Sequence, residues 1–204
     1  MKKVLLYFVL VCVIYTGNAF SQSISLGLEG GVNIANVSFT PDVTTNARTG
    51  VIVGGIVDIN LSSNIAVTSG LRFNMKGWKY TETGFSLTDK LNYIEIPALL
   101  KVKFPLTEVK PYLIGGPVVG FQISANRETV NNGTSTTVDA SSAYESIDFG
   151  LLFGGGIDFK VGAKTILFIQ PAYYLGLSNV YKLVATTTVK NNGFQITGGV
   201  KFNL

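Results

Sequence analysis

From Ile24 onward the chain is a succession of stretches in which apolar side chains recur at every second position. That period places them on one face of a β-strand. The sharpest stretch alternates Ile147, Phe149, Leu151, Phe153, Ile157 and Phe159 with Asp148, Gly150, Gly154, Gly156 and Asp158. The last one sets Phe194, Ile196, Val200, Phe202 and Leu204 against Gln195, Thr197, Gly199, Lys201 and Asn203. Six more, opening at Ile24, Val51, Ile65, Ile94, Leu113 and Leu167, follow the rule with varying fidelity and bring the predicted strands to eight. In the one opening at Ile94, the residues Ile96, Ala98, Leu100, Val102 and Phe104 oppose Asn92, Glu95, Lys101 and Lys103. Ile114, Val118, Ile166 and Phe168 fall on the polar side of their stretches, so the polar face is partly dry.

The connections alternate in length. Long polar stretches cover 36–50, 78–90, 125–144 and 178–192, and short ones sit near Ser62-Ser63-Asn64, Pro105-Leu106-Thr107-Glu108 and Val161-Gly162-Ala163. Such alternation predicts an all-β fold, an eight-stranded antiparallel up-and-down transmembrane β-barrel with long outer loops, tight periplasmic turns and both termini in the periplasm. The stretch 125–144, rich in Asn, Thr, Ser and Gly, is expected to be a solvated, mobile loop. Protease should then reach Arg48, Arg127 and Lys182 in the long loops and spare Lys110 and Lys164 beside the short turns.

A soluble barrel or sandwich would turn the apolar face inward, so the same pattern needs a direction. The opposite face collects Glu29, Asp58, Arg72, Lys76, Glu95, Lys101, Lys103, Asp148, Asp158, Lys160 and Lys201. Six are cationic and five anionic, a balance that lets them pair across a narrow polar lumen, whereas unpaired buried charge is prohibitive. Tyr93, Tyr112 and Tyr174 are long enough to help fill the bore of an eight-stranded barrel. The N-terminus favours the membrane direction. Lys2-Lys3, an apolar run from Val4 to Tyr15, and the small residues Ala19 and Ser21 read as an export signal cleaved after Ser21. The domains are therefore a signal peptide, 1–21, and a barrel, 22–204. The apolar run is short beside the roughly 20 residues of a spanning helix, which argues against an uncleaved anchor. In lipid a sheet must close on itself to satisfy its edges.

Composition narrows the chemistry. Hydrophobic residues make up 47% of the chain, yet no stretch after the signal approaches a membrane-spanning helix, so the apolar content is dispersed over strands. The single Cys12 lies inside the signal and lacks the small residues of a lipidation site, so the mature chain has no thiol for catalysis or a disulfide. The formal charge of +4 becomes +2 when Lys2 and Lys3 are removed (4 − 2), and with no basic run this excludes nucleic acid as a partner. The sequence holds no histidine, so the Ser-His pair, the usual general base and the commonest metal ligand are missing. Asp148 and Asp158 are ten residues apart on one strand, about 33 Å, and cannot act as a pair. Gly154-Gly155-Gly156 lies mid-strand and is no phosphate loop. Asn132-Gly133-Thr134 matches a glycosylation acceptor, a frequent chance pattern. No catalytic, cofactor-binding or metal residues are assigned, no cofactor is expected, and the chain reads as no enzyme.

Three segments carry a family likeness: Leu26-Gly27-Leu28-Glu29-Gly30-Gly31-Val32-Asn33-Ile34-Ala35, Tyr93-Ile94-Glu95-Ile96-Pro97-Ala98-Leu99-Leu100-Lys101, and Gly198-Gly199-Val200-Lys201-Phe202-Asn203-Leu204. Together they resemble the PorT-like outer-membrane β-barrel proteins of Bacteroidota, with a barrel of OmpA/OmpX type. The resemblance implies an eight-stranded barrel in the outer membrane of a Gram-negative bacterium. Some members of that family serve secretion or gliding machinery and most have no assigned role, so no activity carries over. Leu204 departs from the terminal aromatic that assembly signals favour. The expected function is non-catalytic: envelope-structural, or partner-binding through long extracellular loops, with a small-solute channel as the alternative. Expected partners are outer-membrane lipid, the β-barrel assembly machinery during insertion and other envelope proteins, with the protein itself monomeric.

Overall fold

A computed structural model describes residues 23–104, 106 and 109–204. The predicted signal peptide and its cleavage point lie outside the described residues. Nine strands are present among them: β1 (Ile24–Thr40), β2 (Asn46–Asn60), β3 (Ile65–Glu82), β4 (Phe85–Lys103), β5 (Val109–Asn131), β6 (Thr134–Asp139), β7 (Ile147–Lys160), β8 (Thr165–Gly176) and β9 (Thr188–Asn203). Each is antiparallel to its neighbours. Eight close a ring in the order β1-β2-β3-β4-β5-β7-β8-β9, and β6 adds to the outer half of β5. The ring is sealed by β1 on β9, in register from Ser25↔Asn203 to Thr40↔Thr188. Closure leaves no free edge where lipid would have to solvate one.

The period-2 pattern faces the way the charges demand. Leu28, Val53, Leu71, Leu113, Leu151 and Phe153 point outward, while Asp58, Arg72, Lys76, Glu95, Lys101, Asp148, Asp158 and Lys201 are buried inside. Ile114, Val118 and Phe168 are buried in the lumen as expected, and Ile166 is half-buried. Glycines on the inward face make room for aromatic rings. A Cβ on Gly156 would come within 2.4 Å of the Tyr112 ring, and one on Gly150 within 2.6 Å of the Tyr174 phenol. The rings therefore lie flat across neighbouring strands and fill the bore instead of a water column.

The outer end differs from the expected set of loops. The stretch 78–90 is β3 running into β4 through the two residues Thr83-Gly84, and 36–50 is β1 and β2 joined by 41–45. The stretch 125–144 is a β5–β6 hairpin followed by a short 3-10 turn at Ser141–Ala143. Its turn is Asn132-Gly133, both with positive φ (46° and 86°), the pair that a tight hairpin turn favours. Asn132 N–H donates to the Gly84 carbonyl at 2.8 Å, so the two hairpin tips touch. The outer halves of β3, β4, β5 and β6 thus form a four-stranded wing beyond the apolar belt. Among the described residues only 177–187 remains a long connection without strand.

One irregularity decides what the wing turns inward. Across β4 and β5 the register steps from Tyr93↔Gln122 to Asn92↔Ser124, which leaves Ile123 as an extra residue. This bulge switches the inward face of β5 from even to odd positions. Ala125 becomes buried and Arg127 turns to the interior. Asn92, expected on the inward face with Glu95, is instead half-buried and donates to Ser124 Oγ at 2.9 Å.

These pairings correct the proteolysis expectation. Arg48 lies within β2, with Nη1 donating to the Lys76 carbonyl at 2.6 Å, and Arg127 lies within β5. Backbone held in a ladder must open before a protease can bind it. Trypsin acting on the reconstituted protein is expected to cut first after Lys182, in the strand-free connection, and to leave Arg48 and Arg127 intact. Mass spectrometry of the first fragments checks this; early cleavage at Arg127 would show that the wing is not a stable sheet.

Candidate functional site

Eight of the eleven inward charges predicted from sequence meet in two groups of four. Nearer the termini, Lys101 Nζ lies 3.2 Å from Asp58 and 2.7 Å from Asp158, and Lys201 Nζ lies 2.7 Å from Asp58 and 2.9 Å from Asp158. Thr68 Oγ1 donates to Asp58 at 2.6 Å. The Lys101 ammonium sits 3.7 Å from the centre of the Tyr112 ring, whose hydroxyl donates to Gln170 at 3.1 Å. Four strands, β2, β4, β7 and β9, supply one charge each, so this group ties opposite walls of the barrel together.

The second group sits nearer the wing. Glu95 meets Arg72 Nη2 at 2.9 Å and Lys76 Nζ at 2.7 Å, and Lys76 also meets Asp148 at 2.9 Å. Asn74 donates to Glu95 at 3.0 Å and Asn191 to Asp148 at 2.9 Å. Lys76 lies 3.5 Å from the Tyr174 ring centre. Both groups are neutral, two cations against two carboxylates. Buried beside aromatic rings, these contacts are far stronger than surface ion pairs, because little water competes for them.

The remaining three predicted residues stand apart. Glu29 is buried facing Gly54 and Gly199, with no cation within salt-bridge distance among the described residues. Lys103 is half-buried at the mouth beside the termini, donating to Asn60, and Lys160 is exposed on its rim. That mouth is a cavity of about 460 Å³ lined by Lys103, Lys110 and Lys160 and floored by Asp58 and Asp158. Among the described residues no cluster of His, Cys, Asp and Glu could hold a metal ion, and no helix is long and apolar enough to cross a membrane. The latter says nothing against a crossing made by strands.

A third polar group lies at the wing end, and the sequence reading missed it. Arg127 donates from Nε and Nη2 to Asp89 at 2.7 and 2.6 Å. Tyr144 donates to the same carboxylate, and Trp78 Nε1 donates to Tyr144 Oη at 3.3 Å. The hydrogen bonds to Asp89 hold the Arg127 guanidinium above its usual range, and burial beside that carboxylate pushes the Tyr144 phenol up. Both therefore keep their protons at every physiological pH. Around this chain pack Val37, Phe39, Leu91, Val180 and Val189, with Phe39 edge-on to Trp78 at 5.2 Å and Tyr144 edge-on to Tyr181 at 5.7 Å. Asp89, Trp78 and Arg127 all lie in stretches that looked like loops, and only the β5 bulge brings Arg127 to them.

A closed eight-stranded ring with an apolar outside and a charge-paired inside has few homes other than a lipid bilayer. A family model described as outer membrane protein beta-barrel domain matches residues 20–182. The chain belongs to this family. It is an outer-membrane β-barrel protein of a Gram-negative bacterium. No curated protein matches it significantly. Among solved structures, Neisserial surface protein A is 14% identical with a TM-score of 0.51, covering 87% of this chain and 96% of that one. The attachment invasion locus protein Ail of Yersinia pestis is 12% identical at a TM-score of 0.45, covering 87% and 98%. OprG of Pseudomonas aeruginosa is 9% identical at 0.44, covering 90% and 96%. The first of these likenesses shows the shared barrel fold and nothing about activity.

Proposed function

We propose that this outer-membrane barrel is a closed, non-catalytic scaffold that displays its wing on the cell surface for other envelope proteins, with both termini in the periplasm. The observation that carries the reading is the pair of neutral charge groups spanning the bore. Lys101, Lys201, Asp58 and Asp158 join four strands across the lumen and end the mouth cavity as a blind cup. The wing supports partner binding through β6, which among the described residues pairs only with β5 and whose six residues are all exposed. Such an edge can accept a further strand from a partner. Its Thr- and Ser-rich sequence keeps the edge soluble until that happens. The barrel is monomeric on this reading and enters the membrane through the assembly machinery, and the central segment with Glu95, Pro97 and Lys101 makes it PorT-like.

The test is electrical. Purified protein in planar bilayers is expected to give no stable single-channel steps, and liposomes carrying it should swell in small sugars no faster than empty ones. Reproducible conductance that changes when Glu95 or Lys101 is neutralised would put the small-solute channel first instead.

A further inference from the structure

At the wing end, beyond the apolar belt and separate from the charge groups of the lumen, is a cavity of about 390 Å³. Its walls are Phe39, Trp78, Leu87, Tyr144, Tyr181 and Val184, contributed by β1, β3, β4, the segment after β6 and the 177–187 connection. A volume of this order suits a small organic ligand, and a mostly apolar wall with a few fixed polar groups is what such sites have in common.

The polar groups decide which ligand. Arg127 lines the cavity, and Asp89 takes its Nε and Nη2, leaving Nη1 without a hydrogen-bond partner among the described residues. The guanidinium is already neutralised by that carboxylate, and Asp42 adds a further negative group to the wall. A carboxylate ligand would therefore meet little net attraction and one repulsion, whereas a neutral oxygen acceptor meets a free N–H at the end of an apolar slot. Tyr144 offers the ligand no donor, because its hydroxyl hydrogen is committed to Asp89, and its oxygen already accepts from Trp78. We infer that this cavity is a binding site for a small neutral amphiphile, an alkyl or aryl body carrying one hydroxyl or carbonyl oxygen, with Arg127 Nη1 donating to that oxygen. The site goes beyond the scaffold reading and is independent of it, since neither conductance nor partner capture bears on it.

Trp78 is the only tryptophan of the chain and forms part of the wall, so its fluorescence reports occupancy directly. The experiment titrates the protein in nanodiscs with 8-bromo-1-octanol, whose bromine quenches indole on contact, and compares 1-bromooctane and 8-bromooctanoate at matched lipid concentration. Quenching by the alcohol is expected to saturate, with the other two needing about ten- to a hundredfold more probe, the factor that one hydrogen bond to a charged donor is worth. Arg127→Lys keeps a cation for Asp89 but replaces the forked guanidinium with a shorter point ammonium drawn to that carboxylate, losing the Nη1 arm, and should bring the alcohol to the level of bromooctane. Val184→Glu sits in the exposed connection and leaves the wing sheet untouched. It should raise the half-saturation concentration of both neutral probes, and it serves should Arg127→Lys fail to fold. Quenching that rises linearly for all three probes and is unchanged in Val184→Glu would mean that the probes reach Trp78 only from the bilayer, and would overturn the site. A preference for the carboxylate would overturn the assignment of a neutral ligand.

Discussion

Glu95→Ala should lower the unfolding free energy by about 3–5 kcal/mol, the usual effect of removing one partner from a buried ion pair. Glu95 is fully buried, accepts from Arg72 and Asn74, and pairs with the Lys76 ammonium at 2.7 Å. Without it Lys76 keeps Asp148, while Arg72 is left with no salt-bridge partner among the described residues. Urea titration of the folded barrel in lipid, followed by gel mobility and Trp78 emission, measures the effect. Glu95→Gln keeps hydrogen-bond acceptance but not charge and should fall between Ala and wild type. The double change Arg72→Met with Glu95→Leu removes both partners, leaves the Lys76–Asp148 pair intact, and should recover most of the loss. A cost for Glu95→Ala below about 1 kcal/mol would mean that water screens these groups as it does surface pairs, and the lumen would then be wet.

That expectation rests on a mixture of what the sequence displays and what it hides. The inward placement of Glu95 and Lys101 was readable because the apolar Ile94, Ile96, Ala98, Leu100 and Val102 alternate with them and must face lipid. Which charges meet was not readable. Lys101 lies 57 residues from Asp158, and their contact depends on the β4–β5 and β5–β7 registers taken together. Glu29, Lys103 and Lys160 share the polar period with the others, yet none joins a charge group, because period alone says nothing of height along the bore. The wing was misread for a different reason. Above the membrane the outward face of a strand meets water instead of lipid, so the apolar alternation that marks a strand fades while the ladder continues. Asn132-Gly133 was the available signal, a hairpin turn pair standing between two polar stretches. The β5 bulge at Ile123 had no signal at all, and without it Arg127 would point outward.

The direction of the two faces is tested most sharply by a cation placed in the lipid belt. Leu151 faces outward on β7, between Pro117 of β5 and Leu175 of β8, and the outward residues Phe149 and Phe153 flank it. The belt on β7 runs from Ile147 to Phe159, so Leu151 lies well inside it and Phe159 lies at its terminal edge. Lysine at Leu151 has a stem too short to bring its ammonium to either surface without distorting the barrel, and no carboxylate on the outward face stands beside it. Leu151→Lys should therefore cost about 2–4 kcal/mol in a bilayer, while Phe159→Lys, with water near, should cost about 0–1 kcal/mol for its charge. Comparing the two positions under one denaturant titration in vesicles isolates depth, since both lose an outward apolar side chain of β7. Repeating the pair in detergent, where water reaches the belt more easily, should shrink the difference. If Leu151→Lys unfolds at the same denaturant concentration as Phe159→Lys in vesicles, the outward face of β7 does not meet hydrocarbon, and the assignment of inside and outside is reversed.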